Sequence, residues 1–275
     1  MDLKEIHEHW ESIAEAKGVD LTSTTKTSTI KRLEIAAMSR ALTSYLPDVN
    51  PVSILEMGCG NGHNLFALSG LFPEAVFEGT DISPNMVSDA EILREASGHH
   101  ERMTFRVMDV LDMDSDRELS DHYSAVITDR LLINLTSWDL QKRALENLAN
   151  RVARDGLLLI LENYRGVYSA QNSLRQAIGL EPRTPDPTNL FMDEAVFDAY
   201  MQSDLGLELV DVDDFGSLHD ILLYVLLPSV NEGTVVYDHL LMGAVTNLLE
   251  NASDLPADAF GSFGQNRLYV YRKQS

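Results

Sequence analysis

Residues 54–65 read ILEMGCGNGHNL, and no other stretch limits the fold of this chain as strongly. A short apolar run carries an acid, Glu56, and then delivers glycines at alternate positions, Gly58, Gly60 and Gly62. Glycine at that spacing leaves backbone exposed for close approach of a ligand. A strand that runs into such a loop and then into a helix is the opening unit of an open α/β sheet.

The rest of the chain fits that frame. Apolar runs at 52–58, 75–81, 103–109, 123–129 and 156–163 alternate with amphipathic stretches. Ser83 followed by Pro84 is a helix entry, the serine as N-cap and the proline at the first helical position. Leu140, Ala144, Leu148 and Val152 recur every four residues as one buried helical stripe, and Asp155-Gly156 supplies the turn into the next strand. Strand–helix alternation predicts a parallel sheet with right-handed crossovers. Glu56, Asp81, Asp109 and Asp129 each close a predicted strand, so they line one edge of the sheet, where ligands bind in such folds.

The two ends differ from this middle. Residues 1–50 read as an N-terminal helical cap, two helices joined by the polar segment GVDLTSTTKTSTIKR, the second carrying Ile35, Met38, Leu42 and Tyr45 on one face. Residues 51–275 form the main domain. Its last two strands are 207–216 and 266–273, and where a hairpin would suffice a helical insertion intervenes, predicted at about 217–262 as a lid.

Composition narrows the function. With 275 residues, 44% of them hydrophobic, the chain buries a full core as one elaborated α/β domain. The single cysteine, Cys59, permits no internal disulfide and points to a reducing, cytoplasmic setting. The first residues carry early acids and do not read as a signal peptide, and the longest apolar run, 221–228, is far too short for a membrane span. A formal charge of −22 repels phosphate backbones and counts against nucleic acid as a partner. The acids between Met108 and Asp121 read as a solvated surface. Asp112, Asp114 and Asp116 have calcium-loop spacing, but the glycine and glutamate such a loop needs further on are missing.

Three ligands compete for the glycine loop. A nucleotide phosphate needs a lysine after the last glycine, and His63 stands there. A dinucleotide needs G-x-G-x-x-G, whereas the third glycine here comes one residue early and Glu56 is foreign to that pattern. S-adenosylmethionine suits the loop better. Its ammonium matches a carboxylate near the loop, its ribose diol a carboxylate at the tip of the second strand, Asp81, and its adenine an apolar sandwich of Ile82 and Met86 with Asp109 as polar acceptor.

At these residues the chain resembles the class I S-adenosylmethionine-dependent methyltransferases. LEMGCGNG looks like the first motif, GTDISPNMV the second-strand acid and its helix, VMDV the adenine-side acid, ITDRLLINL the fourth-strand motif, and LANRVARDGLLLILEN the helix and fifth strand. The resemblance implies a Rossmann-like, doubly wound seven-stranded sheet with the last strand antiparallel, and S-adenosyl-L-methionine as methyl donor, leaving S-adenosyl-L-homocysteine. It implies Glu56, Gly58, Gly60, Gly62, Asp81, Ile82, Met86, Asp109 and Val110 as cofactor contacts. The fourth-strand signatures of nucleic-acid and protein N-methylases are absent; DRLLINL stands in their place.

Methyl transfer from a sulfonium asks the protein for alignment and exclusion of water, and for a base only when the acceptor is a hydroxyl. Asp129, Arg130, Asn134, Glu162, Tyr164 and Arg165 are nearest in sequence to the reacting centre, with Asp129 grouped on the cofactor side. Glu162, an acid closing an apolar strand, and His219, an imidazole of the kind most used for proton transfer, are the candidate bases. Asn134 reads equally as a substrate contact or as a backbone partner at a helix entry. Arg165, Asn172 and Arg175 either bind an acidic substrate or cover the wet face of their helix. His7 and His9 read as surface. The expectation is a methyltransferase acting on a small molecule, at a hydroxyl of a sugar or secondary metabolite. N- or carboxyl-methylation, or a scaffold that binds the cofactor without chemistry, are the alternatives, and a homodimer stays open.

Overall fold

The computed structural model describes residues 3–46, 51–98, 101–115, 119–251 and 259–274. In chain order its elements are α1 (Leu3–Lys17), α2 (Ser28–Tyr45), β1 (Ser53–Met57), α3 (His63–Leu71), β2 (Val76–Asp81), α4 (Pro84–Ser97), β3 (Met103–Val107), β4 (Tyr123–Asp129) and α5 (Trp138–Arg151). There follow β5 (Val152–Asn163), α6 (Arg165–Ala177), α7 (Glu194–Ser203), β6 (Leu207–Asp213), α8 (Ser217–Ile221), α9 (Leu227–Val230), α10 (Leu240–Asn251) and β7 (Asn266–Lys273). A π-helical turn, Leu222–Leu226, joins α8 to α9.

The strands form one seven-stranded sheet in the order β3-β2-β1-β4-β5-β7-β6. The first five are parallel, and β7 inserts antiparallel between β5 and β6. The expected Rossmann-like architecture is therefore the observed one. Side chains alternate between the two faces of a strand, and the alternation fills two cores. Leu55, Met57, Val126, Leu158 and Ile160 pack toward α5 and α7 on one face. Ile54, Phe77, Ala125, Ile127 and Leu159 pack toward α2, α3 and α4 on the other. Burying Leu33, Met38 and Leu42 completely fixes α2 to that second face, at roughly 2 kcal/mol for each side chain.

Local signals place the elements. Ser83 Oγ accepts the Met86 N–H at 3.1 Å with Pro84 in the first turn, as the dipeptide predicts. Thr27 caps α2 in the same way through the Ile30 N–H. Several boundaries differ from the sequence reading. β3 ends at Val107, so Asp109 lies beyond the strand, where its Oδ1 takes the Leu111 N–H at 2.8 Å. Val152 leaves the helical stripe and begins β5. The turn through Asp155, whose φ is +60°, lies inside that strand as an irregularity in its register with β4. β6 stops at Asp213. The acidic run between Met108 and Asp121 lies partly outside the described residues, Asp116 included.

Among the described residues of the insertion between β6 and β7, helical turns run over 217–230 and 240–251, and turns and other non-helical backbone link them over 231–239. α10 lies along α2, and Arg32 of α2 pairs with Glu250 of α10.

Candidate active site

Strand parity decides which acids meet. Glu56, Asp81 and Asp129 have the parity of Ile54, Phe77 and Ile127, so all three project on the α2–α3 face at the carboxyl edge. Glu162 has the opposite parity and projects on the α5–α7 face. Four acids close to one edge thus divide between two environments.

The glycine loop runs from β1 to α3 with Gly58, Gly60 and Gly62 at φ of +73°, +53° and +82°. The Asp81 carboxylate spans its far side, taking the Gly60 N–H at 2.8 Å on one oxygen and the Ser83 N–H at 2.9 Å on the other. A Cβ on Gly60 would run into Thr24 Cγ2, with Met86 Sδ at 4.0 Å. The loop is therefore a cradle whose outer wall is the N-terminal segment. Asn61 donates to the carbonyls of Gly18 and Asp20 at 3.1 and 2.9 Å, and His63 Nε2 lies 2.9 Å from the Val19 carbonyl. The polar segment between α1 and α2 is thus bound to the loop. Met86 and Val110 are buried, and Ile82 is half-buried beside Asp81.

Behind the loop Glu56 is completely buried. Asn64 donates to its Oε1 at 2.6 Å, while Oε2 has no partner among the described residues. Burial, reinforced by the charge of Asp129 and opposed by Asn64, pushes its carboxyl up to about 8. An orphaned buried carboxylate oxygen is costly unless something arrives to meet it. The same Asn64 also donates to Asp129 Oδ2 at 3.1 Å, so one amide bridges the two acids.

Asp129 sits in a buried ion cluster; adjacency in sequence points to its pairing with Arg130, but not to the partners that α2 supplies. Lys31 Nζ lies 2.7 Å from Asp129 Oδ2 and 3.0 Å from Glu34 Oε2, and Arg130 Nε lies 3.2 Å from both Asp129 and Glu34. Asn266 of β7 donates to Glu34 Oε1 at 3.0 Å. Although burial opposes ionisation, the cations Lys31 and Arg130 hold Asp129 well below the usual carboxylate range. The signal for this cluster was a lysine and a glutamate, three apart, on the face of α2 that otherwise carries Met38 and Leu42. Only the pairing partners explain charges there.

Glu162 is buried and engaged. Its two oxygens accept the N–H groups of Leu132 (2.6 Å) and Ile133 (3.3 Å), closing the turn Leu132–Asn134 after β4. Burial pushes it up to about 8, against the pull of those N–H donors. Asn134 donates to the Arg130 carbonyl at 2.8 Å, the backbone role foreseen as one of its two readings. Arg130 itself holds φ of +55°, which that hydrogen bond helps to fix.

His219 is 1% exposed on α8. Its Nδ1 lies 3.0 Å from Asp220 Oδ1 and its Nε2 lies 3.2 Å from the hydroxyl of Thr29 at the start of α2. Tyr164 is fully buried and stacks near Tyr269, with ring centroids 4.7 Å apart, in the opposite core. Arg165 is exposed, 3.9 Å from Asp193.

Comparison with known proteins accords with this geometry. Residues 49–195 match the family model described as a methyltransferase domain. The chain belongs to this family and to the class I S-adenosylmethionine-dependent methyltransferases. No curated protein matches it in sequence. Among solved structures it resembles magnesium protoporphyrin IX methyltransferase from Synechocystis PCC 6803 with bound S-adenosylhomocysteine, at a TM-score of 0.60 and 16% identity over 100% of both chains. It also resembles the N-methyltransferase NodS from Bradyrhizobium japonicum WM9, at 0.53 and 12% identity over 97% of this chain and 99% of that one.

The methyl donor of the class, S-adenosyl-L-methionine, fits the residues present. The orphaned Glu56 oxygen suits an ammonium, and the glycines of the loop hold φ values of +73°, +53° and +82° that keep its backbone free of side chains. No helix among the described residues is long and apolar enough to cross a membrane.

Proposed function

We propose that this enzyme methylates a hydroxyl of a small molecule and that His219 is its base. The observation that carries the reading is the His219–Asp220 pair. A buried imidazole held on Nδ1 by a carboxylate presents Nε2 to its other partner, and here that partner is a hydroxyl, Thr29, on the helix that reaches Asp129. A side chain so oriented takes a proton from an acceptor hydroxyl as Thr29 yields its place, while Asp220 stabilises the charged ring.

S-adenosylmethionine supplies an electrophilic methyl group. For the chain's part, Glu56 meets the ammonium, Gly58, Gly60 and Gly62 bring backbone close, and Asp81 accepts from the ribose diol. Ile82, Met86 and Val110 wall the adenine, with Asp109 as its polar partner, and Asp129 orders the inner end through Asn64. Glu162 shapes the turn after β4 and takes no proton. Residues 1–30 of the cap and the insertion near 217–262 close the site as a lid; residues 1–2 and 252–258 lie outside the described residues. A surface carrying −22 disfavours a polyanionic acceptor, so nucleic acid is not the substrate. The reading places the enzyme in the cytoplasm and does not require a second copy.

A screen with radiolabelled methyl donor over fractionated small molecules, followed by matched acceptors bearing a hydroxyl or an amine, tests the reading. Methylation of the amine partner alone would replace it with N-methylation.

A further inference from the structure

The chain has 43 acidic and 21 basic side chains, yet two of its arginines stand together without an acid. Arg175 of α6 is 5% exposed and donates only to carbonyls, Nε to Glu181 at 2.8 Å and Nη1 to Tyr224. Arg183 is half-buried, its guanidinium 3.5 Å from the centroid of the Tyr224 ring and 4.9 Å from that of Tyr168. Among the described residues its acceptors are amide oxygens, Gln171 Oε1 at 2.9 Å and Gln265 Oε1 at 3.0 Å. Of the five N–H donors of a guanidinium, these use two, so three have no partner among the described residues. The carboxylate closest by hydrogen bonding, Asp220, is taken by His219, Gln171 and the Gln265 N–H.

This arrangement is built. Asn172 accepts the Arg183 N–H at 2.8 Å and donates to its carbonyl at 2.9 Å, clamping the residue to α6. Gln171, fully buried, donates to Asp220 at 3.3 Å, so a hydrogen-bonded chain runs from Arg183 through Gln171 and Asp220 to His219. Tyr168 packs with Phe191 and Ile133, and Ile133 belongs to the turn that follows Asp129. The arginines therefore flank the carboxyl edge of the sheet. Two like charges partly withdrawn from water, each raising the cost of the other, are expensive without a counter-charge. A guanidinium packed on aromatic rings with free donors is shaped for a carboxylate held by a pair of parallel hydrogen bonds.

We propose that Arg183, backed by Arg175, binds a carboxylate of the acceptor substrate, which makes that substrate a small hydroxy acid. The inference rests on the reading that the acceptor enters at this edge. It also explains how so acidic a protein holds an anion: the local pair of cations outweighs the distant field.

The test uses the full-length protein labelled with 15N-arginine, saturated with S-adenosylhomocysteine, and benzoate as probe with benzamide as its neutral match. Arginine Nε–H resonances are assigned to Arg183 with Arg183→Lys. The expected result is a saturable shift of the Arg183 resonance with a Kd in the millimolar range, about −4 kcal/mol, for benzoate and none for benzamide. Arg183→Lys, which keeps the charge and loses the fork, should weaken benzoate about tenfold, read in parent and variant alike from the line broadening of the benzoate proton resonances. No shift, equal shifts with benzamide, or shifts spread over the exposed arginines would overturn the proposal. Calorimetry with S-adenosylhomocysteine alone keeps the outcomes apart, since loss of that binding would instead undo the cofactor reading.

Discussion

The Lys31 ammonium stands 2.7 Å from Asp129 Oδ2 with both side chains 3% exposed, and this ion pair joins the N-terminal helix α2 to the edge of the sheet. Removing one member strands the other in the interior. Lys31→Met should destabilise the protein by about 3 kcal/mol or more, read as a lower urea midpoint with unchanged slope. Adding Asp129→Asn should recover part of the loss. A single variant as stable as the parent would mean that Arg130 alone satisfies both acids.

Gly60 tests the cradle. A side chain there is strained at φ of +53° and collides with Thr24. Gly60→Ala should lose S-adenosylhomocysteine binding by at least about tenfold. Because the collision is with Thr24 Cγ2, a Thr24→Ser background should soften the fall in melting temperature, a coupling that a double-mutant cycle measures. Purely additive effects would mean that the backbone conformation alone forbids the side chain.

Asp81 carries two duties. Its oxygens already hold the Gly60 and Ser83 N–H groups. Asp81→Ala should therefore cost cofactor affinity and loop order together, by roughly 1.5–3 kcal/mol for each charge-assisted hydrogen bond lost. Calorimetry with S-adenosylhomocysteine checks the first, and hydrogen exchange at residues 58–62 the second. Equal affinity in the variant would remove Asp81 from the ribose.

Glu56 should make cofactor binding depend on pH. Its carboxyl is pushed up to about 8 from an ordinary 4.5, so at neutral pH the free protein holds a proton that an arriving ammonium displaces. Affinity for S-adenosylhomocysteine should rise with pH toward about 8, by up to about tenfold per unit, and level off there. Stability of the free protein runs the other way. A folded value above the unfolded one gives stability that is complete below about 4.5 and is lost as pH climbs toward about 8. Binding heats measured in buffers of different ionisation enthalpy should show proton release, absent in Glu56→Gln. A flat pH profile in the parent would exclude Glu56 as the ammonium's partner.

His219 and Glu162 should separate. His219→Ala is expected to lower turnover by about 10²–10⁴ with S-adenosylhomocysteine affinity unchanged. Glu162→Gln turns one acceptor toward an N–H as a donor, so it should cost about 1–3 kcal/mol of stability and little chemistry. The reverse pattern, a stable Glu162→Gln without turnover, would make Glu162 the base.

Much of this molecule was legible in its sequence because the signals are local. A strand followed by alternate glycines, a serine before a proline, and apolar residues four apart each depend on backbone geometry within a few residues. They placed β4 and β7 to the residue and the glycine loop between its strand and helix, whereas the seven strands with the last one reversed came only with the family resemblance. The acids at the strand ends were also visible one by one. What they do was not. Parity sends Glu56, Asp81 and Asp129 to one face and Glu162 to the other, and a run of residues gives no sign of which helix covers which face. Nothing in the order of residues along α2 pairs Lys31 and Glu34 with Asp129, which lies 98 residues from Lys31. Arg183 meets Tyr224 and Gln265 across spans where no periodicity reaches. Burial, and with it the state of each ionisable group, is set by what the rest of the chain stacks on top, so only the tertiary structure decided which charges are paired and which wait for a ligand.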